Sequence, residues 1–296
     1  MSIQVYWKLR PFIYQIYALL KCTDCKIMVL RLFTERGEYQ MQKTGRRIAW
    51  RLPSVSADGL KIFACATMLV QSIGITIIEK GIINLDQYTQ AELSEAMSQD
   101  SHLMVMAGIG SVMQLIGGLA VPLFAYLLVE GFRNTSDYRK YLLSMVVFAL
   151  VSEIPYDLAN SQKVVDWSSQ NALISMCVCL LMLYFLDLFK DKKGIVISLL
   201  KGVIVLCAVV WVTLLVSAYG LCLVLLTAIF YLFYSKNVLK TILGMIASLL
   251  YVTGPLSFYG IWFYNEQRKD ILPKYVYYAF YPVHLLVLGI IAINIL

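Results

Sequence analysis

The chain has 296 residues, of which 60% are hydrophobic and only 15% are charged. Soluble domains are typically about 25% charged, so this composition excludes a water-soluble globular protein and indicates an integral membrane protein. Residues 1–57 hold ten lysines or arginines against three acids, which accounts for the whole formal net charge of +7. Because the basic charge is confined to one end, it favours contact with anionic lipid and argues against nucleic acid as a partner.

Residues 1–57 form the first predicted unit, a basic and aromatic segment on the cytoplasmic side of the membrane. No apolar run in it is long enough to cross a bilayer. The stretches 5–20 and 27–33 are predicted to lie in the membrane interface as amphipathic helices, or else to belong to a poorly ordered leader. A third alternative is upstream sequence read from an early start, with Met41 as the true start. The sequence leaves these three alternatives open.

The cysteines predict no metal site. Cys22 and Cys25 form an isolated pair, whereas a structural zinc site needs four ligands. The other five cysteines lie within apolar stretches, where a thiol normally behaves as a small hydrophobic side chain.

Residues 58–296 form the second unit, which we predict to be an all-α bundle of transmembrane helices. A helix needs about 20 apolar residues to cross the hydrocarbon core. On that basis about eight spans are predicted, at residues 60–79, 104–131, 140–157, 172–189, 195–215, 219–235, 241–263 and 275–295. The second of them contains Gly108, Gly110, Gly117 and Gly118, so it is expected to pack closely against a neighbouring helix.

The charges of the connections predict the orientation of the bundle. Basic side chains accumulate before the first span and in the turns 133–140, 190–193 and 236–240, which places the N-terminus and these turns in the cytoplasm. The loop 79–103 is mainly acidic and is predicted to lie outside.

One connection disagrees with this orientation. Strict alternation puts residues 264–274 outside, although they carry three basic side chains. Either the charge rule is only weakly expressed there, or the segment 241–263 is re-entrant or broken, with a bend at Gly254 and Pro255. The sequence does not choose between the two.

Three acidic side chains lie within or near predicted spans. Acidic groups in hydrocarbon usually face the bundle interior, find a partner and serve a function. Glu130 and Arg133 are three residues apart and could pair on one helix face. Glu153 and Asp157 are four apart, also share a face, and are expected to point inwards near the outer end of the third span. The alternative is that these charges only cap the span ends.

Several stretches of the second unit have a distinctive amino-acid sequence. They are PLFAYLLVEGF at 122–132, FALVSEIPYDLA at 148–159, and YNEQR followed by YVYYAFYPVHLLVLG at 275–289. These segments resemble the TraX family of bacterial membrane proteins, and the resemblance covers roughly residues 58–296. The family is named for acetylation of a conjugative pilus subunit and is similar to multi-span acyltransferases.

The resemblance implies a multi-pass protein of the bacterial cytoplasmic membrane. It also implies transfer of an acetyl group from acetyl-CoA, or of another acyl group from its acyl-CoA, to a membrane-associated acceptor. A pilin-like protein or a cell-surface glycan is the implied acceptor.

The resemblance further implies a donor site on the first span. In related proteins a basic residue is followed eleven positions later by a histidine; here Lys61 matches the basic residue and Ser72 occupies the histidine position. Eleven residues return to within about 20° of the same helix face and climb about 16 Å, so a cation at the cytoplasmic mouth could hold the phosphates of coenzyme A below a deeper base. Arg133, Arg139 and Lys140 are the other candidate donor-binding cations.

Four positions depart from the family pattern. Gln71 and Ser72 replace Asp-His, Gly118 replaces an arginine and Ala218 replaces an aspartate. Serine is not a base, so activity is expected to be impaired, and His284, which matches the family's Tyr-Pro-x-His-Leu, becomes the best remaining base. The candidate catalytic residues are therefore Lys61, Glu153, Asp157 and His284.

Two functions from different classes remain open. The first is an acyltransferase with impaired activity, and the second is a catalytically inactive relative that binds lipid, an acyl donor or a partner protein. A small transporter would show paired broken spans across an internal repeat, and none stands out. If the resemblance is correctly aligned, one cavity should gather Lys61, Ser72, Gly118, Glu153, Ala218 and His284.

Overall fold

A computed structural model describes residues 54–265 and 273–295. Within them the regular structure is helical, as predicted. The helices are α1 (Ala57–Ile73), α2 (Gln90–Gln99), α3 (Ser101–Gly117), α4 (Ala120–Asn134), α5 (Tyr138–Ser161), α6 (Ala172–Asp187), α7 (Ile195–Leu214), α8 (Gly220–Leu232), α9 (Asn237–Ser248), α10 (Ser257–Trp262) and α11 (Lys274–Ile295). The predicted interfacial helices and the Cys22–Cys25 pair lie outside the described residues.

The described part contains five helical stretches that are long and apolar enough to cross a membrane. They are Ala57–Ile83, Ser101–Asn134, Tyr138–Ser161, Ile195–Leu214 and Tyr275–Asn294. Three predicted spans instead contain shorter apolar helices, namely Ala172–Asp187, Gly220–Leu232 and Asn237–Ser248. The chain is therefore a multi-pass helical protein, but the predicted count of eight full-length spans is not confirmed.

The first span begins at a well-defined cap and runs further than predicted. The Ser56 side chain accepts a hydrogen bond from the backbone N–H of Gly59 at 3.2 Å, and an acidic residue in the first turn, Asp58, suits the positive end of the helix. After α1 the chain continues as a π-helix, Gly74–Ile83, which ends at Asn84 in the left-handed conformation.

The acidic loop after the first span contains a helix that sequence analysis missed. In α2, Thr89 and Glu92 form a capping box, with the Glu92 carboxylate accepting from the Thr89 backbone N–H at 2.8 Å. That N–H and the Thr89 hydroxyl hold the pKa of Glu92 below its usual range. Most of α2 is polar and it buries little apolar surface, so it lacks the hydrophobic periodicity that would have predicted it.

Close packing at the glycines of the second span is confirmed at two positions. A β-carbon on Gly117 would lie only 2.2 Å from Cβ of Gln71 on α1, and one on Gly118 would lie 2.6 Å from the Thr253 hydroxyl. Gly108 has open space around it. The end of α3 is thus pressed against α1 on one side and the loop before α10 on the other.

The segment 237–264 is a helical hairpin, because its two halves run antiparallel. The indole N–H of Trp262 donates to the Thr241 hydroxyl at 3.1 Å. Nearer the tip, the Phe258 ring packs onto Gly244, where a β-carbon would lie 2.5 Å from the ring. The chain thus returns beside α9 in the opposite direction.

The hairpin returns to the end of the bundle where α1 begins. The backbone N–H of Val55 donates to the carbonyl of Phe263 at 2.8 Å, and that of Asn265 donates to the Val55 carbonyl at 3.0 Å. The twelve residues of α9 rise about 18 Å, little more than half of a roughly 30 Å hydrocarbon core. Residues 241–263 are therefore a broken segment that turns back near Gly254 and Pro255, and not one continuous span.

Helix α11 lies along α5. A β-carbon on Gly289 would lie 3.0 Å from the backbone nitrogen of Ala159, so a glycine is needed where the two helices approach closely. Each helix contains a proline, Pro155 in α5 and Pro282 in α11. This packing brings the last helix of the chain beside the first, where its histidine meets α1.

Candidate functional site

A large cavity runs through the bundle between α1, α4, α5 and α11. Its volume is about 850 Å³, and it is lined by both Lys61 and Thr76 of the first span. These residues are fifteen positions apart, so the cavity extends about 22 Å along the helix axis, most of the thickness of a hydrocarbon core.

Two lysines lie at one end of this cavity. The Lys61 ammonium is 3.1 Å from a carboxylate oxygen of Asp58 and 5.0 Å from the centre of the Tyr277 ring. The Lys140 ammonium is 3.2 Å from Asp137, whose pKa is held below its usual range by the backbone N–H of Lys140 and then by its ammonium. Both lysines line the cavity together with the carboxylates of Asp137 and Glu130, so this end of the cavity carries charges of both signs.

The two predicted arginines are placed elsewhere. Arg133 lies over the ring of Tyr234, with the guanidinium carbon 3.6 Å from the ring centre, and Arg139 is exposed. The Tyr234 hydroxyl donates to Glu130 at 2.9 Å. Glu130 and Arg133 thus contact the same tyrosine, Glu130 at its hydroxyl and Arg133 at its ring. Neither Arg133 nor Arg139 is among the residues that line the cavity.

The deeper part of the cavity brings together three of the positions that depart from the family pattern. Gln71, Ser72 and Ala218 all line it. The Ser72 hydroxyl oxygen lies 3.2 Å from Nε2 of His284, a residue 212 positions later in the chain. His284 itself is 6% exposed and lies behind Ser72. Ser72, which has no histidine adjacent to it in the sequence, therefore has one beside it in the structure.

The fourth departing position, Gly118, lies under the tip of the hairpin 237–264. The Thr253 hydroxyl donates to the Leu115 carbonyl, and the Tyr251 side chain would be 3.3 Å from a β-carbon on Gly118. Gly118 is not among the cavity-lining residues of the described part. Of the six residues that were predicted to share one cavity, three line it, namely Lys61, Ser72 and Ala218. Gly118, Glu153 and His284 do not.

The two predicted catalytic carboxylates point into the protein, as expected, but outside the cavity lining of the described residues. Glu153 accepts a hydrogen bond from the Asn171 amide, which also donates to the Ala149 carbonyl at 2.9 Å. Asp157 is 3% exposed and accepts from the backbone N–H of Asp166 at 2.8 Å. Asp157 thus anchors the loop that follows α5, and Glu153 belongs to a buried polar network.

Sequence analysis missed the aromatic character of the cavity and the partner of Lys61. Asp58 stands three positions before Lys61, a spacing that places both on one helix face and could have indicated the pair. The pairing of Ser72 with His284 has no local sequence signal. The cavity is also lined by eight tyrosines, Tyr141, Tyr156, Tyr219, Tyr264, Tyr275, Tyr277, Tyr278 and Tyr281.

The fold and the cavity together define a multi-pass helical membrane protein with an internal ligand-sized chamber. A sequence model described as TraX protein matches residues 56–292. The chain belongs to the TraX family, which confirms the resemblance found in its sequence. Comparison with curated proteins and with solved structures found no match to this chain.

Proposed function

We propose that this TraX-family chain transfers an acyl group from an acyl-CoA to an acceptor at the membrane. The observation that supports this function is the cavity itself. It has cations at one end, a hydroxyl beside an imidazole at depth, and a continuation past Ala218 and Tyr219. An acyl donor and an acceptor could therefore approach the same point from opposite ends.

The donor end fits the chemistry of coenzyme A. Lys61 and Lys140 would bind its phosphates, since hydrogen bonds between ammonium and phosphate are among the strong ones. The pantetheine arm would follow the tyrosine-lined wall, and the thioester would reach the level of Ser72. Acetyl-CoA is the simplest such donor, and a pilin-like protein or a cell-surface glycan is the proposed acceptor.

The proposed orientation puts the donor end in the cytoplasm of a bacterial cell, with the protein in the cytoplasmic membrane. The residues before α1, the turn 133–140 and residues 264–274 would then all be cytoplasmic. In this orientation the hairpin 237–264 enters the membrane and leaves it on the same side. This removes the disagreement that strict alternation of spans created. The basic side chains of 264–274 then follow the positive-inside rule.

Single-cysteine labelling tests this orientation. We expect Gln90→Cys to react with an impermeant maleimide in intact cells, and Ser136→Cys and Pro273→Cys to react only after the cells are opened. A variant with the native cysteines replaced provides the background. Labelling of Pro273→Cys in intact cells would show that 237–264 crosses the membrane and would overturn the hairpin topology.

Donor binding tests the role of the lysines. We expect Lys140→Gln to weaken acetyl-CoA binding by purified protein in detergent about tenfold, because hydrogen bonds to charged groups contribute about 1.5–3 kcal/mol and each 1.4 kcal/mol is tenfold in Kd. Lys190→Gln is the matched control: Lys190 makes the same kind of i,i+3 pair, 3.3 Å from Asp187, and does not line the cavity. Equal loss in both variants would contradict a specific donor site.

The second candidate function is an inactive relative that binds an acyl donor or lipid. The absence of histidine at position 72 favours it. Donor consumption separates the two candidates, because a binding protein would retain acetyl-CoA unchanged, whereas an acyltransferase would release coenzyme A. Loss of that release in His284→Ala would place the base on α11.

A further inference from the structure

The tautomer of His284 follows from its two neighbours. Its Nδ1 is 2.7 Å from the backbone carbonyl of Phe280, and a carbonyl oxygen can only accept. Nδ1 of the neutral ring therefore carries the hydrogen, which leaves the lone pair of Nε2 facing Ser72 at 3.2 Å. The hydroxyl of Ser72 is thus the donor, and the imidazole is its acceptor.

The imidazole is held in this orientation by its surroundings. The Phe280 ring stacks on it, with centroids 4.9 Å apart and planes at 20°, and the Tyr281 ring meets it edge-on at 5.7 Å. Ser72 lines the cavity, while His284 lies behind it and is largely buried. The hydroxyl also lies 3.0 Å from the Met68 carbonyl, so its single hydrogen has two possible acceptors, this carbonyl and Nε2 of His284.

A hydroxyl, a base within hydrogen-bond reach and a third group that orients the base together form an activated nucleophile. We propose that Ser72 is this nucleophile and that acyl transfer passes through an acyl-serine. The inference rests on the proposed function and deepens it. The family resemblance implies a histidine at position 72, whereas here the imidazole lies on α11 and the serine can carry the acyl group.

The two half-reactions balance as follows. Ser72 Oγ attacks the thioester carbonyl while its proton passes to Nε2 of His284; the carbon–sulfur bond breaks, and the thiolate takes that proton and leaves as coenzyme A. An acceptor hydroxyl or amine then attacks the serine ester and gives its proton to Nε2. The carbon–oxygen bond to Ser72 breaks, and the proton returns to the serine.

The test is covalent labelling of the purified full-length protein in detergent. With radiolabelled acetyl-CoA and no acceptor, we expect one acetyl group on the peptide that contains Ser72, resistant to neutral hydroxylamine as oxygen esters are. Ser72→Ala should lose this label. His284→Gln should form it at least about a hundredfold more slowly, because general-base catalysis typically contributes 10²–10⁴-fold. Ser144→Ala, which changes another serine of the cavity lining, should label normally.

A second probe tests the serine without relying on the donor. An alkyl fluorophosphonate, which reacts with activated serines, should modify Ser72 in the parent chain and not in His284→Gln. In the acetyl-CoA experiment, an acetyl label on Cys65, which also lines the cavity, would be sensitive to hydroxylamine. Such a label would overturn the assignment to Ser72.

The remaining outcomes separate the acyl-serine from the proposed function. Release of coenzyme A with no label at Ser72 from either probe would overturn the acyl-serine and leave direct transfer. Fluorophosphonate labelling of Ser72 without any acetyl-CoA binding would keep the activated serine and overturn acyl-CoA as the donor. No binding, no release and no label would overturn both.

Discussion

Asn171→Leu is expected to destabilise the protein by about 3–5 kcal/mol. Asn171 is fully buried, and its side-chain oxygen Oδ1 caps α6 by accepting from the backbone N–H of Leu173 at 2.9 Å. Its amide donates to the Ala149 carbonyl and to Glu153. Loss of an N-cap costs about 1 kcal/mol and each buried polar group left without a partner costs about 1–3 kcal/mol.

The cost is high because Glu153 has little else to bind. Its second carboxylate oxygen is buried and has no hydrogen-bond partner among the described residues, so the substitution removes a donor from a carboxylate that already lacks one. The backbone carbonyl of Asn171 accepts from the Ser217 hydroxyl at 3.2 Å, so loosening here would also reach the loop before α8.

Thermal unfolding in detergent, followed by loss of the monodisperse peak, measures this effect. The control is Asn294→Leu, since Asn294 is exposed and its amide donates only to the Ile290 carbonyl of its own helix at 2.7 Å. It should shift stability by less than about 0.5 kcal/mol. Asn171→Asp separates the two roles, because a carboxylate keeps the cap and loses the amide donors. If Asn171→Leu unfolds at the same temperature as the control, the network contributes nothing.

Gly118→Arg is expected to destabilise the protein by a similar amount, although the family pattern has arginine at this position. A β-carbon alone would lie 2.6 Å from the Thr253 hydroxyl and 3.3 Å from the Leu115 carbonyl. Overpacking by a few atoms costs about 1–3 kcal/mol, and a guanidinium has to be accommodated as well. The hairpin tip would have to move.

Smaller changes isolate the steric part of this effect. Gly118→Ala should already destabilise by about 1–3 kcal/mol, whereas Gly108→Ala, on the same helix in open space, should be neutral or slightly stabilising because alanine is the better helix former. Adding Thr253→Ala to Gly118→Arg should recover part of the loss. A fully stable Gly118→Arg would show that the hairpin tip does not occupy this space.

The same geometry decides how a family-like site should be rebuilt. Restoring aspartate at Gln71, histidine at Ser72 and aspartate at Ala218 changes residues that line the cavity, so these three substitutions have room. Adding arginine at Gly118 would combine them with a packing defect. Acetyl-CoA consumption by the triple variant is therefore expected to exceed that of the quadruple variant.

The sequence by itself determined the class of protein, the family and most of the helices. Long apolar runs are sufficient for this, because a helix that crosses hydrocarbon must satisfy its backbone polar groups internally and must be mainly apolar along its length. The approximate positions of the predicted spans and the close approach at Gly117 follow from the same local rules. These rules did not predict the polar helix α2, because its sequence has no periodic pattern of apolar residues.

Only the tertiary structure decided where the side chains meet. Nothing local to Ser72 or to His284 indicates that their atoms approach to 3.2 Å, because that contact depends on α11 packing beside α1 across 212 residues. The antiparallel return of 237–264 was equally undecided, since a re-entrant segment and a broken span have the same composition and differ only in which residues contact each other. Packing also decides that Arg133 contacts Tyr234 and that Asp157 binds the loop after α5. A charge near hydrocarbon is stabilised by the partners that neighbouring elements bring within reach, and the sequence does not show which partners these are.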